Sequence, residues 1–500
     1  MKTDLLAEGR SEGRAHPRRG ALAVLATAQL VLALDYSIVN IALPSIGGSL
    51  GFSRDGVEWV VSAYTLLFGG FLLFGGRSSD LLGRRRVFVA SGVLFGVASM
   101  VGGLSTTPTL LLAGRAVQGL AAGFLFPATL SLVTTTFPEG PSRNRAIAVW
   151  GAAGASGLAF GAFLGGVIIS ALGWRWVFFV NVPVLAILVV AALLVLPGRR
   201  PSRPRVGDFD VPGATTVTAG ALLVVLALIQ APVLGWTSPG TVIPAAVGLV
   251  LLAAFLRIED HSKNPLMPLE LLRRPTLWGG MLVTAAFMAS FGLQFFFLTM
   301  YLQSSLHESP LVAGLSFLPL ALLVVAGNQV GGRLATRYGA GRVLPWGMVI
   351  GAVGLLTYEF LGARLSLPTL LAGEAIAGFG QGMAFTTAYL VAGGGIDADR
   401  QGVASSMAST AQQLGGSIGL AVLVDLLSAR LGASGGSGLV LDGTSVPGLI
   451  PALHWIYAAQ AGLALLGAVA AALVIGRRSP RRSETNVEGP GIETPVAAAG

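Results

Sequence analysis

Apolar runs fill most of the chain, and short polar links separate them. After Gly20–Leu43, runs long enough to cross about 30 Å of hydrocarbon recur at 58–75, 87–105, 110–133, 147–171, 177–196, 212–231, 241–257, 277–301, 311–331, 343–361, 369–392, 403–427 and 452–475. With the first they predict fourteen transmembrane helices, an all-α polytopic membrane protein. The first run is too long for a signal-peptide core, holds Asp35 and is followed by many more spans.

Two runs joined by a charged link as short as Gly75–Arg86, GGRSSDLLGRRR, must lie side by side, with the link as a tight turn at a membrane surface. The same outline returns 256 residues later as GGRLATRYGAGR, Gly331–Arg342. Likewise Leu111–Gly119, LLAGRAVQG, matches Leu370–Gly378, LLAGEAIAG, at an offset of 259. The repeat divides the chain into a polar tail (1–19), a six-helix bundle (20–196), a linker with two extra spans (197–274), a second six-helix bundle (275–475) and a disordered tail (476–500). Duplicated bundles that rock about a shared central site are a common construction of alternating-access carriers.

Composition supports the membrane reading. The chain is 53% hydrophobic and 11% charged, with a mean hydropathy of +0.76, outside the soluble range. Its net charge of +9 is explained by location. With the N-terminus inside, 27 Lys/Arg fall in cytoplasmic segments, four fall outside, and only Arg115 lies within a span. Both termini are therefore expected in the cytoplasm, with the basic excess facing anionic lipid rather than nucleic acid. There are no cysteines, the four histidines are scattered and no GxxxxGK[ST] occurs. No metal, cofactor or direct ATP drive is expected, and no nucleophile–base set points to an enzyme.

Charged groups inside spans are costly and mark function by default. Asp35 is expected to face a central cavity and bind a proton or a cationic substrate, the alternative being an acid neutralised for packing. Arg115 either tunes an acid such as Asp35 or snorkels to the outer surface. Glu374 stands where the other half has Arg115, which suggests a charge pair across the bundle or a second proton or cation site. Asp425 is either cavity-facing or at the headgroup boundary, and Glu359 is read as interfacial. Gly157, Gly161 and Gly165, with Gly166 beside them, put one bare face on helix 5 for close packing. Asp80 is placed to bond the start of a neighbouring helix and to pair with Arg84, a latch made in one conformer. Gln29, Tyr36, Asn40, Trp59, Tyr64, Gln118, Phe291, Gln294, Phe295, Tyr389, Gln412 and Gln413 are candidate cavity residues. Such a lining suits bulky amphipathic or cationic organic compounds better than sugars.

These residues carry a specific resemblance. The chain resembles the major facilitator superfamily, and within it the fourteen-helix drug:proton antiporter branch. Gly76, Asp80, Gly83, Arg84 and Arg85 match the loop motif between helices 2 and 3. The segment from Leu34 to Pro44, LDYSIVNIALP, matches the first-helix signature, and Arg115, Gln118 and Gly119 match the helix 4 motif. Gly173–Pro183, GWRWVFFVNVP, resembles the junction between helices 5 and 6. Two positions depart: Ala162 stands where the helix 5 motif has proline, and Thr336 replaces the acid of the second loop.

The resemblance implies proton-coupled export of amphipathic or cationic compounds across the cytoplasmic membrane. In it the loop motif stabilises the outward-facing state and the helix 4 arginine is tied to proton transfer. Protons, the organic substrate and membrane lipids are the implied partners, with the monomer as the working unit. A lipid or lipid-like cargo, or a sensor without turnover, are the competing readings.

Overall fold

The computed structural model describes residues 2–52, 54–57, 59–197, 210–262, 265, 267, 269–306, 308, 310–362, 366–397, 400–431 and 448–474. Among them fourteen helices have at least fifteen residues. The first half and linker give α1 Lys2–Leu50, α2 Trp59–Leu82, α3 Arg84–Leu104, α4 Pro108–Thr136, α5 Pro141–Leu172, α6 Asn181–Val195, α7 Val211–Leu234 and α8 Pro239–His261. The second half gives α9 Pro275–Ser290, α10 Leu318–Tyr338, α11 Ala340–Leu356, α12 Leu367–Ala392, α13 Gln401–Leu431 and α14 Leu449–Val474. Twelve spans among the described residues are long and apolar enough to cross a membrane, whereas α5 and α7 carry shorter apolar stretches, Phe163–Leu172 and Pro212–Leu228. The protein is a multi-pass membrane protein.

Local sequence sets the helix ends. Proline opens α4, α5 and α8 at a position whose N–H would be unpaired anyway. The Thr107 hydroxyl caps α4 by accepting from the Leu110 amide, and Asp210 caps α7 by accepting from Gly213. The turns at Gly83 and Gly339, the same position in the two loop copies, have φ of +97° and +87°, which favours glycine.

Two expectations change. The polar segment before Gly20, read as a disordered tail, continues α1 back to Lys2; its Leu, Ala, Glu and Arg residues are good helix formers extending an existing helix. The run 277–301 is not one regular helix, since α9 passes into a 3₁₀ turn at Phe291–Leu293 and a π turn at Met300–Ser305. Residues 432–447, between the last two predicted spans, and the tail 476–500 lie outside the described residues.

The repeat is also a repeat of packing. In the first half α1 runs along α5, α2 along α4, and α3 packs on α4 and α6; in the second α10 and α11 flank α12, and α9 runs along α13. A Cβ on Gly119 would stand 2.2 Å from the Tyr64 carbonyl oxygen, and one on Gly378 would stand 2.5 Å from that of Leu320. The same crossing therefore recurs at the offsets seen in sequence. The halves meet where α5 lies on α10 and α2 on α13, while α7 and α8 pair with each other and α7 leans on α2 and α13. Large apolar side chains such as Ile187, Leu194, Leu249 and Leu466 are exposed on the bundle exterior, as a lipid-facing surface requires.

Candidate functional site

The first-half acid sits at the centre of a closed polar cluster. Asp35 on α1 and Arg115 on α4 are both fully buried, and Arg115 Nη1 donates to Asp35 Oδ2 at 2.8 Å. Asp35 Oδ1 accepts from Asn181 Nδ2 at 2.7 Å and from Gln118 Nε2 at 3.3 Å. Gln118 Nε2 also donates to Ser99 Oγ at 2.7 Å, and its Oε1 accepts from Arg115. Arg115 Nε donates to the Val60 carbonyl at 2.9 Å, and the guanidinium lies 4.3 Å from the centre of the Tyr64 ring.

Helices α4 and α6 thus bond the α1 carboxylate directly, α2 and α3 join the cluster through Arg115 and Gln118, and Arg115 does not snorkel. All three groups that bond Asp35 are donors, and a carboxylate is an acceptor for each of them. Burying two charges is costly unless the pair is close and otherwise hydrogen-bonded, a condition this cluster meets.

Among the described residues the second half shows no counterpart to that ion pair. Glu374 on α12 is fully buried, and neither carboxylate oxygen has a hydrogen-bond partner among them. The expected charge pair across the bundle is not formed, since Arg115 is engaged with Asp35. Nearby, Tyr358 packs against Gly373, Gln294 Nε2 donates to the Tyr358 hydroxyl, and Gln381 donates to Gln294 Oε1. Asp425 stands apart from both clusters; it is exposed and accepts from the Trp236 indole. Glu359 is exposed, as an interfacial residue would be.

The end of the bundle that carries the glycine–arginine links is bridged between the halves by hydrogen bonds at two crossings. Asp80 Oδ1 accepts from Arg84 Nη2 at 2.8 Å, and Asp80 Oδ2 accepts from the Val403 amide in the first turn of α13 at 3.2 Å. At the other crossing Asn144 Nδ2, in the first turn of α5, donates to Thr336 Oγ1 at 2.8 Å. Thr336 thus keeps the contact to the opposite half without the charge. Arg84 also bonds Ser131, and Arg85 donates to the Leu193 and Leu196 carbonyls at the end of α6. Gly76 is buried in α2. Between the halves Trp150 of α5, fully buried, stacks on Phe385 and meets Tyr389 edge-on, both from α12.

The glycine face of helix 5 has a definite partner. Cβ atoms on Gly157, Gly161 and Gly165 would crowd Leu30, Leu34 and Ile38 of α1, with the Leu30 and Leu34 carbonyls at 2.4 and 2.7 Å. These contacts bracket Asp35. Gly166 is not part of the seam, because nothing lies within 4 Å of a Cβ there. The helix runs on through 162, and the Ala162 side chain lies outside the described residues.

The cavity candidates divide among several places. Tyr64 and Gln118 belong to the Asp35 cluster and Gln294 to that beside Glu374. The Tyr389 hydroxyl donates to Gln412 at 2.5 Å, and both Gln412 and Gln413 are half-buried. Gln29 is buried against Gly154, whereas Tyr36 and Asn40 are exposed, the Asn40 amide donating to the Tyr36 carbonyl. Phe291 is buried against Gly351, Phe295 packs on Phe317, and Trp59 is half-buried. Sequence reading missed Asn181, Ser99 and Trp150. Asn181 carried a signal, as the only polar residue in the apolar run that forms α6.

Comparison with known proteins agrees with this architecture. The profile described as Major Facilitator Superfamily matches residues 25–420. The chain is 34% identical over 475 residues to the puromycin resistance protein pur8 of Streptomyces alboniger, covering 94% of each. It is 38% identical over 410 residues to the cephamycin export protein CmcT of Amycolatopsis lactamdurans, covering 81% of this chain and 84% of the relative. Among solved structures, the human organic anion transporter MFSD10 superposes with a TM-score of 0.65 at 18% identity, covering 91% of this chain and 99% of that one.

Proposed function

The chain belongs to the major facilitator superfamily, and from that premise we propose that it exports amphipathic or cationic organic compounds in exchange for protons. It is a transporter rather than an enzyme. The observation that carries the proton assignment is Asp35, sealed from solvent and held by Arg115, Gln118 and Asn181. The relatives named for puromycin resistance and cephamycin export support antibiotic-like organic cargo.

The cycle we propose uses two six-helix bundles, 20–196 and 275–475, with α7 and α8 as an added pair from the linker 197–274. In this cycle the glycine–arginine links and both termini lie on the cytoplasmic side of the bacterial inner membrane, a reading supported by the excess of Lys and Arg in those segments. Asp80–Val403 and Asn144–Thr336 then close the cytoplasmic end, and the monomer does the work.

A proton arriving from outside neutralises Asp35 and releases Arg115 from its ion pair. Helix α5 reports the change: its glycines lie on α1 beside Asp35, while its first turn holds Thr336 and its Trp150 holds Phe385. Protonation and cargo favour different conformers, so each drives the other. Glu374 is proposed as a second proton-accepting group, and Asp425 is left to anchor the outer end of α13 against Trp236. Proton-gradient-driven uptake into inverted vesicles tests the reading: loss in Asp35→Asn supports it, and unchanged uptake rejects Asp35 as the coupling residue.

A further inference from the structure

The two loop copies face the opposite half in related ways but not with the same charge. At the α2–α13 crossing Asp80 supplies an anion beside Arg84, bonded to the first turn of α13. At the α10–α5 crossing its equivalent is Thr336, which is neutral. Directly beside Thr336 the structure has a groove of about 400 Å³ between the halves, lined by Arg145 and Pro141 of α5 and by Arg333 and Gln329 of α10. No acidic side chain lines it. Neither Arg145 nor Arg333 makes an ion pair or hydrogen bond among the described residues; the acid closest in sequence, Glu139, is paired with Arg143 at 2.8 Å.

We propose that this groove binds the phosphate of an anionic phospholipid, which bridges Arg145 of the first half and Arg333 of the second. The phosphate oxygens match two guanidinium groups; phosphatidylcholine carries the same phosphate, but its choline cation would stand beside two arginines with no acid in the lining, whereas an anionic lipid brings no such cation. The groove lies at the end that carries the short charged links, the end expected at a membrane surface, where anionic headgroups attract basic residues. Because one arginine belongs to each half, the lipid favours the conformer in which this end is closed. That consequence rests on the alternating-access reading above; the binding site itself does not.

Binding is measured on the purified full chain in a neutral detergent, titrated with phosphatidylglycerol, phosphatidylcholine or inorganic phosphate, with bound lipid counted by native mass spectrometry and stability followed by thermal melting. One phosphatidylglycerol is expected to bind tightly and raise the melting temperature, with phosphatidylcholine much weaker. The double variant R145Q/R333Q is expected to weaken phosphatidylglycerol binding at least about tenfold, in line with loss of charge-assisted hydrogen bonds. R145K/R333K, which keeps both charges, retains part of it. Thr336→Asp supplies the missing anion within the chain and is expected to compete with the lipid, so this variant tests the site even if the double glutamine variant does not fold. Equal phosphatidylglycerol binding in wild type and Thr336→Asp, or in wild type and a folded R145Q/R333Q, overturns the proposal. Stabilisation by inorganic phosphate alone, with no phosphatidylglycerol retained, overturns the lipid assignment. Transport by Asp35→Asn is a separate readout, so failure of the lipid site and failure of proton coupling are distinguishable.

Discussion

Arg115 Nη1 lies 2.8 Å from Asp35 Oδ2, and both side chains are sealed from solvent. Neither charge can be removed alone without stranding the other. Arg115→Gln is expected to destabilise the protein by about 3–5 kcal/mol, the usual cost of breaking a buried pair. Adding Asp35→Asn to Arg115→Gln is expected to recover much of that loss. Thermal melts of the single and double variants in detergent check this, and additive losses would contradict the pair.

Asp80 reaches across the halves as well as along its own turn. Asp80→Asn keeps the size of the side chain but removes the charge from its bonds to Arg84 and the Val403 amide. Hydrogen bonds to charged groups contribute about 1.5–3 kcal/mol, so the closed conformer should lose roughly a tenfold or greater preference. Transport is expected to fall while equilibrium binding of substrate persists. Normal transport at normal expression would contradict the latch.

The glycines separate into required and dispensable positions. A methyl group at Gly119 meets the Tyr64 carbonyl at 2.2 Å, whereas one at Gly166 meets nothing within 4 Å. Gly119→Ala is expected to cost about 1–3 kcal/mol through overpacking, and Gly166→Ala to stay within about 0.5 kcal/mol. Melting temperatures of the two variants decide it.

Glu374 and Asp425 are both acids near the ends of their helices, but their surroundings differ. Glu374 is buried without a hydrogen-bond partner among the described residues, and Asp425 is exposed and bonded to Trp236. Glu374→Gln is expected to lower substrate-dependent proton flux into proteoliposomes several-fold, whereas Asp425→Asn leaves it unchanged. The reverse ranking would remove Glu374 from the proton path.

Sequence alone pointed to the Asp35–Arg115 site because a charge inside an apolar run is rare, and to the latch because its outline occurs twice. It pointed to a bare face on α5 because three glycines share one side of a helix. It did not select Asn181 or Ser99, whose roles depend on α6 packing on α1 and α3 on α4, a tertiary fact. It also grouped Gly166 with its neighbours, since helical spacing cannot say how far along the seam the partner helix stays close. Trp150 was invisible for a similar reason: an aromatic residue in a span reads the same whether it meets lipid or, as here, Phe385.

The central claim is that proton occupancy of Asp35 is tied to cargo occupancy. It is tested most directly by reconstituting wild type and Asp35→Asn in liposomes, imposing a proton gradient and following accumulation of a cationic organic substrate, with binding measured separately. Wild type is expected to accumulate substrate only while the gradient lasts, and Asp35→Asn to bind substrate without accumulating it. Accumulation that is the same in both proteins, or that survives collapse of the gradient, would contradict the account.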